Sequence, residues 1–163
     1  MSPFVLNIAD LLGRSGASRP ERITVSVDWG LDASGLVPEP PLEADLVLQA
    51  VPSGILARGT VSFLTRNTCQ RCLEVFDEER TVAVAALFER EPEDEGYAIQ
   101  SDTIDVEQLL VDETLLALPV LPVCDESCEG VVTSLESDLN TAPSGDDPGS
   151  PFAVLKDFFG PEN

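Results

Sequence analysis

Alternation of apolar and polar residues marks two neighbouring segments of the chain as strands of one hairpin. In residues 42–51 every second side chain is apolar, and residues 55–64 repeat the pattern with one glycine in it. Pro52, Ser53 and Gly54 lie between the two segments, and residues of these types favour a tight turn. We therefore predict a long antiparallel hairpin with one apolar face.

Further strands are predicted on both sides of this hairpin. Residues 22–29 alternate between apolar and polar positions, and residues 4–12 indicate a short strand that runs into a helical turn. Residues 15–20 are predicted to form a loop. Residues 73–88 form another extended segment, which makes residues 69–72 the tip of a second hairpin.

Residues 104–118 have the clearest helical pattern in the chain. Asp105 and Gln108 have the spacing of a capping box, in which Asp105 is the N-cap. Leu116 is assigned to the main apolar face, and Glu113 falls within that same face. A buried carboxylate needs a partner, so Glu113 is a candidate for a structural polar network rather than for a catalytic acid. The alternative is a Glu that extends past the edge of the helix.

The regular pattern ends after residue 132. Residues 133–151 are rich in Ser, Asp, Gly and Pro, as in a linker, and residues 152–159 place Phe and Leu at helical spacing. We predict a single α+β domain over residues 1–132, followed by an acidic linker and a short C-terminal amphipathic helix over residues 133–163. The expected fold is a twisted antiparallel sheet of five or six strands, open or curled towards a barrel, with one main covering helix.

Charge narrows the range of partners. The 163-residue chain has nine Lys and Arg against thirty Asp and Glu, which gives a formal net charge of −21. Such a surface repels phosphate, so direct binding to naked RNA or DNA is disfavoured, and a basic protein is the expected partner. The alternative is that the acidity serves solubility alone.

Several classes of protein are excluded by what the sequence lacks. No apolar run is long enough to cross a bilayer, and the N-terminus has no basic start typical of a secretory signal peptide. We therefore expect a cytoplasmic protein, in a compartment that keeps thiols reduced. The chain has no His and no Gly-rich phosphate loop. The commonest general base and the nucleophiles that depend on it are thus absent, and no enzymatic activity is predicted.

The four cysteines carry the most specific chemistry in the sequence. Cys69 and Cys72 form a C-x2-C pair, and Cys124 and Cys128 form a C-x3-C pair. Four thiolates complete the tetrahedral coordination of Zn²⁺, so we predict a structural zinc that links the second hairpin tip to the end of the helix. Metal-free thiols are one alternative. A redox-active Cys69/Cys72 pair is another, although a thioredoxin-like pair is expected between a strand and a helix.

Four segments together resemble the YceD family, bacterial and plastid proteins implicated in the accumulation of large-subunit ribosomal RNA. They are the CQRC of residues 69–72, the helix with DETLLALP at residues 112–119, the run VLPVC at residues 120–124 and the PFAVL of residues 151–155. The resemblance covers nearly the whole chain and is weakest before residue 40. It implies a non-enzymatic ribosome-biogenesis factor that supports accumulation or processing of large-subunit (23S) ribosomal RNA. The implied partner is a basic ribosomal protein or another rRNA-processing factor.

The chain departs from the family pattern at one place. Many YceD relatives carry two further cysteines after the C-x3-C pair, and Val132 and Leu135 occupy those positions here. The implied metal ligands are the remaining set, Cys69, Cys72, Cys124 and Cys128. Two other functions stay open, a thiol redox protein that uses the C-x2-C pair and an acidic adaptor that mimics nucleic acid.

Overall fold

The computed structural model describes residues 2–92 and 96–131. Within these ranges the chain forms nine strands and one helix, which makes it a sheet-rich α+β fold. The elements are β1 (Val5–Asn7), β2 (Ser18–Val25), β3 (Gly30–Leu31), β4 (Ser34–Leu36), β5 (Leu42–Val51), β6 (Gly54–Thr68), β7 (Val75–Glu89), β8 (Tyr97–Gln100), β9 (Thr103–Asp105) and α1 (Glu107–Leu116). All of them belong to the first of two compact units, Met1–Gly130. The linker predicted at residues 133–151 and the helix predicted at residues 152–159 lie outside the described residues, and the domain boundary at residue 132 stays a prediction.

Four long strands form the body of the sheet in the order β2, β5, β6, β7, and every neighbouring pair in this order is antiparallel. The fifteen-residue strand β6 has two neighbours on one side, since β5 pairs with residues 54–62 and β4 pairs with residues 65–67. Beyond β7 the sheet continues through a parallel pairing with β8 and antiparallel pairings to β9 and β1. The sheet curls into a half-barrel.

The first hairpin is confirmed as β5 and β6, with residues 52 and 53 in the turn. Its inward side chains are almost fully buried, and they pack in one core with side chains of α1 and of the N-terminal segment. The least exposed members of this core include Ile8, Leu42, Leu46, Leu48, Ile55, Val61, Phe88, Leu109 and Leu110. Burying a side chain of this size contributes about 1.5–3 kcal/mol, so the body is stabilised mainly by apolar burial.

Strand β2 begins earlier than the pattern predicts. It covers Ser18–Val25, so residues 18–20 are strand rather than loop, and residues 26–29 lie outside it. The pairing with β5 explains the difference, because Ser18 aligns with Gln49 and Val25 aligns with Leu42, so that β2 follows most of β5. Among the described strands β2 pairs with β5 alone, and such a position tolerates a proline.

The helix is shorter than predicted, with ten residues instead of residues 104–118. Ile104 belongs to β9, and the helix ends at Leu116, which is 82% exposed instead of buried with the apolar face. No helix in the described part of the chain is long and apolar enough to cross a membrane.

The predicted capping box at the start of α1 is wrong. Val106 is the N-cap, and Asp105 accepts a hydrogen bond from the backbone N–H of Glu107 at 2.9 Å. Asp105 therefore still satisfies one donor at the helix start. The side chain of Gln108 points along the helix and donates to Asp112 at 2.6 Å.

Candidate metal centre

The first cysteine pair lies at the tip of the β6–β7 hairpin, as predicted. The backbone N–H of Cys69 donates to the carbonyl of Glu74 at 2.9 Å, and that of Leu73 donates back to Cys69 at 3.0 Å. Leu73 has a φ of 64°, in the left-handed region that disfavours residues other than glycine. A leucine held in this conformation indicates that the turn is fixed by its surroundings.

The second cysteine pair lies on a loop that is hydrogen-bonded to this tip. The N–H of Gln70 donates to the carbonyl of Pro122 at 2.9 Å. The guanidinium of Arg71 donates to the carbonyls of Glu126 and Cys128 at 3.1 and 3.2 Å. Backbone and side-chain donors of the hairpin tip therefore hold the second loop in place next to the first pair.

All four thiol sulfurs come together at this point. Their Sγ atoms lie within 4.8 Å of one another, with 3.7 Å between Cys72 and Cys124 and 3.9 Å between Cys69 and Cys128. A regular tetrahedron of sulfurs around zinc, with metal–sulfur distances of about 2.3 Å, has edges of about 3.8 Å. The four cysteines are free thiols. Donor type, number and spacing thus fit a four-thiolate metal site, although no metal is identified.

The four thiols differ in environment. Cys69 is fully buried, whereas Cys124 is exposed. Hydrogen bonds from the backbone N–H groups of Cys72 and Cys124 lower the pKa of the Cys69 thiol to about 6. Hydrogen bonds with the side chains of Cys72 and Cys128 raise the pKa of the Cys124 thiol to about 12. Without metal, Cys124 therefore keeps its proton near neutral pH, and a bound cation would displace that proton.

Arg71 contributes to the cysteine cluster through both its main chain and its side chain. Its backbone N–H donates to the sulfur of Cys69 at 3.4 Å, which favours the Cys69 thiolate. Its guanidinium is directed to the two carbonyls of the second loop. The side chain thus fixes the loop, and the main chain stabilises the sulfur.

Glu113 is half-buried, and none of the hydrogen bonds or ion pairs found among the described residues involves its carboxylate. The arrangement fits the alternative of a Glu at the edge of the helix.

Sequence reasoning missed Arg80, whose guanidinium donates to the carbonyl of Ala117 at 3.0 Å and to Glu78 at 2.7 Å. A cation at a helix C-terminus is favourable, but an Arg within a strand gives no sequence signal of this role.

Comparison with known proteins gives this cysteine cluster a context. The family model described as "Large ribosomal RNA subunit accumulation protein YceD" matches residues 57–159. The chain belongs to the YceD family. The part matched to YceD includes most of β6, all of β7 and α1, and the four cysteines. The description of the YceD family suggests a ribosome-related role.

The chain is similar to several mycobacterial proteins over most of its length. Uncharacterized proteins of Mycobacterium tuberculosis and Mycobacterium bovis are 32% identical to this chain over 99% of its length and 84% of theirs. An uncharacterized protein of Mycobacterium leprae is 28% identical over 88% of this chain and 70% of its own. No solved structure is significantly similar to the chain.

Proposed function

We propose that this protein is a non-enzymatic factor that supports accumulation or processing of the 23S ribosomal RNA of the large subunit. Membership of the YceD family is the observation that carries the proposal. The lack of His in the sequence supports a factor without catalysis, because the commonest general base is missing. The cysteines support it as well, since four thiolates around one ion leave no open position for a substrate.

In this proposal Cys69, Cys72, Cys124 and Cys128 hold one structural Zn²⁺. The sulfur–sulfur distances of 3.7 and 3.9 Å support the assignment. Bound zinc would supply a crosslink between two segments that are more than fifty residues apart, and its binding energy would contribute to folding. Gln70 and Arg71 would hold the loop of the second cysteine pair next to the first pair.

A thiol redox function is the competing proposal for these cysteines. The lowered pKa of Cys69 favours it, because thiolates are the reactive species. Access argues against it, since Cys69 is 0% exposed and the exposed Cys124 has a raised pKa. The most nucleophilic sulfur is the least accessible one, and a structural metal site fits this arrangement better.

The proposed partner is a basic protein, such as a ribosomal protein or an rRNA-processing factor, rather than naked RNA. Residues 96–131 contain eight carboxylates and no Lys or Arg. Of the arginines on the sheet, Arg22 is paired with Asp45 and Arg66 with Asp77. The surface therefore attracts positive charge and repels phosphate.

Depletion tests the cellular role. Loss of the protein is expected to lower the ratio of large-subunit to small-subunit ribosomal RNA, and re-expression of the wild-type chain is expected to restore it. An unchanged ratio would contradict the proposed function. Tight, salt-sensitive binding of the purified protein to naked 23S RNA fragments would contradict the proposed partner class.

A further inference from the structure

Three large apolar side chains are exposed between the end of α1 and the second cysteine pair. Leu116 is 82% exposed, Val120 is 83% exposed and Leu121 is 73% exposed. We call these three residues the apolar ridge. Leu118, in the same segment, is 4% exposed and belongs to the core. The segment is therefore packed on the body while the apolar ridge points away from it.

The backbone below the apolar ridge is fixed by hydrogen bonds from three separate parts of the fold. Arg80 donates to the carbonyl of Ala117 at 3.0 Å, Ser34 to that of Pro119 at 3.3 Å, and the N–H of Gln70 to that of Pro122 at 2.9 Å. The two prolines also restrict the backbone angle φ. Folding thus presents the apolar ridge in an ordered conformation, although exposing large aliphatic side chains gives no stability. Val120 and Leu121 are adjacent in sequence on this anchored backbone, and exposed apolar residues that stand together in this way mark interaction sites.

A groove lies beside the apolar ridge. The β3–β4 hairpin forms one wall with Leu31 and Asp32, and Pro119 and Val120 form the other. Leu31 is itself 52% exposed. An aliphatic side chain of a partner can contact both walls, with the carboxylate of Asp32 at the rim.

The charge around the apolar ridge selects the kind of partner. Glu113 precedes it, Asp125 and Glu126 follow it, and residues 96–131 carry no basic side chain. Two cations lie nearby: Arg80 is bonded to Glu78 and to a helix carbonyl, and Arg71 is bonded to the carbonyls of Glu126 and Cys128. A second copy of a chain with a net charge of −21 is repelled, and so is RNA phosphate. A positively charged protein segment is attracted.

We propose that the apolar ridge and its groove are the docking site for a basic amphipathic segment of a partner protein. Aliphatic side chains of that segment contact the ridge and enter the groove, and its Lys or Arg side chains face the surrounding carboxylates. The assignment of the partner to the ribosomal machinery rests on the proposed function. The docking site itself rests on exposure, backbone anchoring and charge.

Calorimetric titration of the full-length protein with three synthetic helical peptides tests the docking site. The first peptide has a Leu stripe at helical spacing and Lys elsewhere, the second replaces Leu by Ser, and the third replaces Lys by Glu. The first peptide is expected to bind about tenfold or more tightly than either of the others, because both apolar contact and charge are needed. Equal binding of the first and second peptides would overturn the proposal, since charge alone would then explain the interaction.

Variants locate the binding surface. The double variant Val120→Ser/Leu121→Ser is expected to weaken binding of the first peptide about tenfold or more, while circular dichroism stays that of the wild type. Val75→Ser is the matched control, because Val75 is 61% exposed and lies on β7 rather than on the apolar ridge. Equal effects of the two substitutions would overturn the assignment. So would a self-associating wild type that the double variant makes monomeric, or naked RNA binding that the double variant abolishes.

A cellular measurement separates this inference from the proposed function. The double variant is expressed in depleted cells, and the ratio of large-subunit to small-subunit ribosomal RNA is measured. Failure to restore the ratio, with Val75→Ser restoring it, is the expected result. Full restoration by the double variant would overturn the role of the apolar ridge as a docking site and leave the proposed function standing. A ratio that never responds to depletion would remove the proposed function, and the peptide titration would still decide on the docking site.

Discussion

The body of the sheet and the cysteine cluster are held together by different forces. In the body, β5, β6 and β7 pair along nearly their whole lengths and bury side chains such as Leu46 and Leu48 almost completely. At the cluster, residues 69–72 and 124–128 form turns in which only one of the four cysteines is buried. Apolar burial can stabilise the first region and contributes little to the second. In the proposed zinc site, a metal crosslink would add to the hydrogen bonds of Arg71 and Gln70 in stabilising these turns.

Removal of the proposed zinc should have the largest effect, and it should affect mainly the cysteine cluster. Chelation, or the substitution Cys69→Ser, is expected to abolish stoichiometric zinc binding. The loss of stability would be about 4 kcal/mol when free zinc is about a thousand times its dissociation constant. Hydrogen exchange should accelerate at residues 69–74 and 122–128 and stay slow in β5 and β6, because the body keeps its apolar core. Metal analysis with thiol counting measures the zinc directly.

Ser127→Ala is a suitable control for the zinc measurement. Ser127 lies between Cys124 and Cys128 and hydrogen-bonds Asp125, but it supplies no thiol. It should retain one zinc per chain. Freshly purified wild-type protein with no zinc and four reactive thiols would refute the metal centre, and the cluster would then depend on the hydrogen bonds of Arg71 and Gln70 alone.

The substitution Gly59→Ala should destabilise the body of the sheet rather than the cysteine cluster. A Cβ at this position of β6 would lie 1.9 Å from the carbonyl oxygen of Asp45, where β5 and β6 are paired. The strands must separate to accept it, so we expect a loss of about 3 kcal/mol or more in chemical denaturation. Gly35→Ala is the matched control, because the nearest atom to its Cβ is at 3.5 Å, an ordinary contact. Equal stability of the two variants would contradict the close approach of the strands.

The sequence predicts the long strands of the body better than the short strands β8 and β9. The β5–β6 hairpin is readable because Leu42, Leu46 and Leu48 alternate before a Pro-Ser turn, and both signals are local. Strands β8 and β9 have four and three residues, which is too short for alternation to be recognised. The parallel pairing of β8 with β7 covers only two residues of each strand, and the pairing of β9 with β1 joins distant parts of the chain, so tertiary contacts define both strands.

The sequence predicts the candidate metal site, but it does not predict the exposed apolar surface near that site. The spacing of the cysteines predicts the grouping of four thiols, and the structure brings all four together. The exposure of Leu116 could not be predicted from the sequence, because its helical position matches that of the buried Leu109. Only the end of α1 at that residue, and the anchoring of the following backbone by Ser34 and Arg80, place it at the surface.

The smallest effect is expected in a titration of Tyr97 in the body. The pKa of Tyr97 and that of Cys124 in the cysteine cluster are both raised, but for different reasons. Tyr97, the single tyrosine of the chain, packs against Phe88 with ring centroids 5.2 Å apart and donates to Asp112 at 3.0 Å. Burial, followed by the hydrogen bond to Asp112, raises its pKa to about 12, whereas neighbouring thiols raise the pKa of Cys124 to about 12. The two causes predict different responses to metal.

Tyrosinate absorbance measured against pH should have its midpoint at about 12 in the presence and absence of zinc, because none of the groups that raise the pKa of Tyr97 belongs to the cysteine cluster. Asp112→Asn should move the midpoint towards the ordinary value of 10. A folded pKa above the unfolded one means that the Tyr97 contribution to stability is complete below pH 10 and is lost as the pH rises to about 12. A midpoint that falls towards 10 on chelation would show that loss of the cluster also opens the contact between β8 and α1, so the two regions would not be independent.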